Sequence, residues 1–163
     1  MYDSDPHGVT QTQFAVLAED GSFVRRGNCL QAAVATYFGF ELEDVFNFAD
    51  WYGTPMDRWW YPLFLGFFAE RGFALRLVGL SNKPIPQERC ILTGPSPRPG
   101  LTHAVVGEHG EIVWDPHPDR TGLARVQQAW VPESLMEMRA TVRAWEDRLS
   151  KGQVASEQLG ASN

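Results

Sequence analysis

The segment from Gly27 to Gly39, GNCLQAAVATYFG, constrains the fold more than any other stretch of this chain. Asn28 is a residue that favours a helix N-cap. Leu30, Ala33, Val34, Tyr37 and Phe38 fall on one face of a 3.6-residue period, and Gly39 is a helix stop. The pattern predicts a helix with Cys29 in its first turn. Unpaired backbone N–H groups and the positive end of the helix dipole favour a thiolate there, so the expected pKa lies below the free-thiol value of about 8.5. That is the position of a nucleophile.

A second constellation lies downstream, in LTHAVVGEHGEIVWDPHP. Two short apolar runs, His103 to Val106 and Ile112 to Trp114, flank the turn-forming stretch Gly107 to Gly110, which predicts an antiparallel hairpin. A turn centred near His109 places His103 across from Asp115 or Pro116. Opposed residues have Cβ atoms roughly 4.5 to 5.5 Å apart, so the Asp115 carboxylate can accept a hydrogen bond from the His103 ring. Pro116 holds Asp115 in an extended conformation. Such a carboxylate fixes one imidazole tautomer and leaves the other ring nitrogen facing a thiol.

The remaining elements follow from the same patterning. Leu42 to Phe48 predicts a helical turn, and a loop through Trp51, Tyr52, Gly53 and Pro55 leads to a helix from about Tyr61 to Gly72 with Leu63, Phe64, Phe67 and Phe68 buried. Phe73 to Val78, Cys90 to Thr93 and Arg125 to Trp130 read as strands. Pro132 is expected to open an amphipathic helix to about Leu149, with Leu135, Met138, Val142, Trp145 and Leu149 on one side. Helices ahead of an antiparallel sheet indicate the α+β class. The 163 residues correspond to one domain over 1–150, with a polar, disordered tail over 151–163.

Composition excludes several classes. A formal net charge of -6, with only two lysines among the fourteen basic residues, argues against a nucleic-acid-binding surface. The N-terminal MYDSDPHGVT has no apolar run of the signal-peptide kind, and no stretch reaches the ~18 apolar residues of a membrane span, so a cytoplasmic protein is expected. Two cysteines do not make a disulfide framework, and Cys90 in a strand-like run is expected to be a buried core thiol. His109 at the hairpin tip and His103 at its base are too far apart to chelate together, and no paired ligand spacing of the zinc type occurs. Neither a metal nor a cofactor is therefore expected.

These motifs carry a resemblance. Gln11-Thr12-Gln13-Phe14, Gly27-Asn28-Cys29, His103-Ala104-Val105-Val106 and Trp114-Asp115-Pro116 resemble the papain-like cysteine peptidase superfamily. The likeness is to its bacteriocin-processing, double-glycine-leader type and to small phage and bacterial proteins of that fold, and it covers roughly residues 9 to 130. It implies N-terminal helices packed on an antiparallel sheet, with Cys29 as nucleophile, His103 as general base and acid, and Asp115 as orienter. A glutamine upstream of the cysteine donates to the oxyanion in this superfamily. Gln11 matches the first position of Gln-Thr-x-Phe and is preferred over Gln13, although the stretch from Gln11 to Cys29 is longer than usual.

The expected function is a cysteine-dependent hydrolase acting on an amide, peptide or isopeptide bond in a peptide, protein or small-molecule substrate. The same triad can instead transfer the acyl group to an amine. A third alternative is a catalytically silent, phage-type binding protein that sequesters a host factor. Each residue also has a plain structural role open to it: Cys29 as a small buried hydrophobe, His103 as a satisfied core histidine, Asp115 as a turn former.

Overall fold

The computed structural model describes residues 3–51 and 53–160, with the side chains of the last helix described as far as Lys151. The chain begins with a short antiparallel hairpin, β1 (Val16–Leu17) and β2 (Phe23–Arg25), followed by α1 (Cys29–Phe38). Single 3-10 turns at Leu42–Asp44 and Asp57–Trp59 lead to α2 (Trp60–Ala69). The strands β3 (Phe73–Gly79), β4 (Cys90–Pro95), β5 (Thr102–Glu108), β6 (Glu111–Trp114) and β7 (Gln128–Ser134) then form one antiparallel sheet in the order β3-β7-β4-β5-β6. The chain closes with α3 (Leu135–Gly160). The class is α+β.

Helix α1 is enclosed on more than one face, since every residue from Gln31 to Thr36 is buried. Its two buried polar side chains are satisfied. Gln31 Nε2 donates to the carbonyls of Leu42 and Val45 at 2.9 and 2.8 Å, while Thr36 Oγ1 donates to Ala32 and accepts the Val9 N–H. Gly39 ends the helix at φ 70°, a left-handed conformation that costs a residue without Cβ nothing. The helix lies against β5 and β4, where Ala33 and Val34 join Ile91, Ala104, Val106 and Trp114 in the larger core. Phe64 and Phe68 of α2 complete that core and are fully buried. Leu63 lies at the surface and Phe67 carries the Arg71 guanidinium on its ring face, so the predicted buried stripe is half as wide as expected.

The opposite face of the sheet buries Cys90, Leu92, Val105, Ala129 and Val131 beneath Ile85, Leu123 and Val126 from the connecting loops. Alternation along β4 and β5 therefore serves two cores at once, with Ile91 and Val106 on the helix side and Leu92 and Val105 on the loop side. Cys90 is the buried thiol expected, and its burial pushes its pKa up to about 12.

The last strand and helix differ from expectation. β7 runs through Pro132, where the sequence predicts a helix start. Its pairing with β4 covers only Gln128 to Trp130, whereas its pairing with β3 continues to Ser134, so Pro132 occupies a stretch with a neighbour on one side only. The helix start signal is Ser134, whose Oγ accepts the Glu137 N–H at 3.3 Å. α3 continues to Gly160, past the predicted end at Leu149, through Lys, Gln, Ala and Glu positions that favour helix; residues 161–163 of the expected tail lie outside the described residues. Tyr52 of the predicted loop is likewise outside them. No helix among the described residues is long and apolar enough to cross a membrane.

Candidate active site

Cys29 is the first residue of α1 and is partly exposed. Burial on the protein side would raise its thiol, but a hydrogen bond with His103, the positive charge of that ring, and the backbone N–H groups of Ala104 and Leu30 together bring it below its ordinary value. Three of these influences come from β5 and one, the Leu30 N–H, is local to the helix start, so the strand and the helix end jointly stabilise a thiolate.

His103 and Asp115 are both buried, and His103 Nε2 lies 2.6 Å from Asp115 Oδ1. With Nε2 committed to the carboxylate, Nδ1 is the nitrogen left for the Cys29 sulfur. Burial would depress the His103 pKa, yet its hydrogen bonds to Asp115 and Cys29 and their negative charges raise it to about 9. Burial would likewise raise the Asp115 carboxyl, but the bond and charge of His103 hold it below the usual carboxylate range, helped by the N–H groups of His117 and Gly122 at 2.8 and 2.7 Å. The mutual bonds and charges favour thiolate, imidazolium and carboxylate together along the Cys29–His103–Asp115 chain.

The hairpin delivers Asp115 by a different route from the one expected. His109 and Gly110 form the turn with φ 54° and 82°, but the ladder shifts register between Val106 and Gly107 and ends at Val106↔Trp114. Asp115 is thus not paired across the ladder from His103. It leaves the sheet one residue after β6, and its carboxylate is aimed by the Asx-type bond to the His117 N–H and by the Gly122 N–H.

Gln11 and Cys29 are separated in sequence by the β1–β2 hairpin, whose stem closes on itself. The Asn28 N–H donates to the Gln13 carbonyl at 3.1 Å, and Asn28 Oδ1 accepts the N–H groups of Thr12 and Gln13. The additional chain length is taken up by this hairpin, and Gln11 lines the same cleft as Cys29. Asn28 precedes the helix as predicted but makes no side-chain cap; its φ/ψ of -98° and 29° turn the amide toward residues 12 and 13 and toward Gln31. Residues 3–11 run beside β6, through the Ser4 N–H to the Val113 carbonyl and the Gln11 N–H to the Pro116 carbonyl.

Gln11 is buried and lines the cleft. Its Nε2 donates to the Gln13 carbonyl at 2.9 Å, while its Oε1 is buried without a hydrogen-bond partner. Gln13, the alternative, spends its amide on the Arg26 carbonyl and on Asn47, and it lies outside the cleft lining. Gly27 permits the close approach between the two arms: a Cβ there would lie 3.0 Å from the Gln13 carbonyl oxygen.

Two residues without an expected role support the site. Arg120 stacks its guanidinium 3.9 Å over the Trp114 ring and donates to the carbonyls of Asp115 and His117 and to Thr10 Oγ1. It ties the loop carrying Asp115 to both the sheet end and the N-terminal arm. His117 stands edge-on to His103 with ring centroids 6.3 Å apart. Burial, then the nearby Arg98 charge, lowers its pKa, and Nδ1 accepts the Asp119 N–H. An Asp-Pro-x-x-Asp-Arg-x-Gly string is the available signal for such a loop, since Asx turns and a left-handed glycine are built from those residue types.

Gln11, Cys29 and His103 line a cleft of about 470 Å³. Phe14 and Phe23 from the hairpin side, Phe48 and Trp60 from the helical side, and Leu30 and Leu101 give it an apolar wall, with Arg26 and Arg98 also at its lining. Trp60 lines the cleft, whereas Trp59 is exposed. Among the described residues, no group of three or more His, Cys, Asp or Glu side chains is arranged to hold a metal. No protein-family model matches the chain, and no curated protein or solved structure matches it significantly.

Proposed function

We propose that this protein is a papain-like thiol hydrolase that cleaves an amide, peptide or isopeptide bond through an acyl-enzyme. The observation that carries the proposal is the Cys29–His103–Asp115 chain at the edge of an apolar cleft, with His103 held by Asp115 at 2.6 Å and bonded on its other side to the thiol. The Cys29 thiolate adds to the carbonyl carbon and the oxyanion forms. His103 then gives its proton to the leaving nitrogen as the C–N bond breaks. A water molecule surrenders a proton to His103 as it attacks the thioester, and the carboxylic acid leaves with Cys29 restored as thiolate beside protonated His103.

The Cys29 backbone N–H belongs to the first turn, whose N–H groups have no intrahelical acceptor, and the Gln11 amide stands on the same cleft. These are the donors for the oxyanion. The substrate presents an apolar acyl portion to the aromatic wall. An electrophilic peptide-amide probe is expected to form a thioether or thioester with Cys29 in the wild type and none in Cys29→Ala, with the fold of the variant unchanged by circular dichroism. Equal labelling of the two proteins, or hydrolysis retained by Cys29→Ala, overturns the proposal.

A further inference from the structure

We propose that α3 is a dimerisation helix that pairs antiparallel with α3 of a second copy of this chain. The helix touches the sheet at its start, where the Leu135 N–H donates to the Gly72 carbonyl, and every residue from 136 to 151 is exposed. From Leu135 at the sheet into this free length, Leu135, Met138, Val142, Trp145 and Leu149 recur at alternating steps of three and four, the a and d positions of a heptad seam about 21 Å long. Met138, Val142, Trp145 and Leu149 are 40%, 48%, 54% and 49% exposed, so the apolar face of the helix is turned to solvent rather than to its own core. A continuous apolar patch of this kind marks an interaction surface.

The charges beside the seam select the occupant. Arg139 and Glu146 both occupy the e position, one heptad apart. When two copies run antiparallel with Val142 packed against Trp145 of the second copy, each Arg139 meets a Glu146 and each Glu146 meets an Arg139. The two ion pairs are related by the two-fold axis, as an isologous interface requires. A parallel pair would instead set Arg139 beside Ser134 and Glu146 beside Thr141, with no opposite charge on either. The sequence is thus self-complementary in one orientation only. The seam lies on a helix that contributes nothing to the cleft lining, so pairing leaves the Cys29 site open.

Sedimentation equilibrium of the full chain tests this. The wild type is expected at twice the 18.3 kDa chain mass, and Val142→Glu at the chain mass with unchanged helicity and unchanged Cys29 labelling. Arg139→Glu alone and Glu146→Arg alone are each expected to raise the dimer dissociation constant tenfold or more, and the double inversion to return it toward the wild-type value. A wild type that is monomeric at every concentration overturns the proposal. So does a dimer that withstands Val142→Glu, or one that responds to neither charge inversion, since a parallel pair or another surface would then hold it.

Discussion

His103 Nε2 lies 2.6 Å from Asp115 Oδ1 inside the protein, and the same carboxylate is held by the His117 and Gly122 N–H groups. Asp115 is therefore held by backbone donors independent of the histidine, and its carboxylate in turn holds one edge of the ring. The hydrogen bond to Asp115, with the Cys29 bond and the charges of both partners, keeps His103 protonated at a pH where an ordinary imidazole, with a pKa near 6.5, is neutral.

Asp115→Asn keeps the side-chain shape and removes the carboxylate charge. The His103 pKa, read by NMR titration of its ring, is expected to fall from about 9. The alkaline limb of turnover, where His103 loses its proton, should move to lower pH with it; both limbs belong to the coupled Cys29–His103 pair. An unchanged His103 titration would make Asp115 a turn residue and nothing more.

Gln11→Ala addresses the oxyanion donor. Its amide is buried at the cleft, with Nε2 giving one proton to the Gln13 carbonyl and retaining a second. Turnover is expected to fall by about 10² or more with the denaturation midpoint little changed. A comparable loss in Gln13→Ala with none in Gln11→Ala would reverse the assignment.

Asn28→Ala tests the clasp between the two arms. It strands the buried Gln31 Oε1 and removes the acceptor of the part-buried Thr12 and Gln13 N–H groups, and leaving a buried polar group unpaired costs roughly 1–3 kcal/mol. A loss of about 2 kcal/mol or more in chemical denaturation is expected, together with a turnover deficit like that of Gln11→Ala, because Gln11 is positioned through the same clasp. Loss of stability with full activity would separate the clasp from the site.

What was legible in the sequence is local. The start of α1 at Cys29, its stop at Gly39 and the His109 turn each rest on residues within a few positions of one another, so patterning is enough. The misplaced features depend on distant neighbours. Pro132 lies in a strand because β4 stops pairing beside it, and Asn28 forgoes capping because residues 12 and 13 present their N–H groups to it. The β1–β2 hairpin that lengthens the Gln11 to Cys29 interval is two and three residues per strand, too short for periodicity to reveal. Arg120 supports Asp115 through a carbonyl contact and an aromatic face, interactions that leave no spacing signature.

The most direct test of the whole account is the rate of iodoacetamide labelling of Cys29 against pH, with Cys90 as the internal control. A thiolate paired with protonated His103 predicts fast alkylation of Cys29 at neutral pH, persisting well below the usual thiol range, while Cys90, buried with a pKa of about 12, stays unlabelled. His103→Ala should move the Cys29 profile up toward that of a free thiol. A Cys29 rate that already follows an ordinary thiol in the wild type, and is indifferent to His103→Ala, would contradict the account.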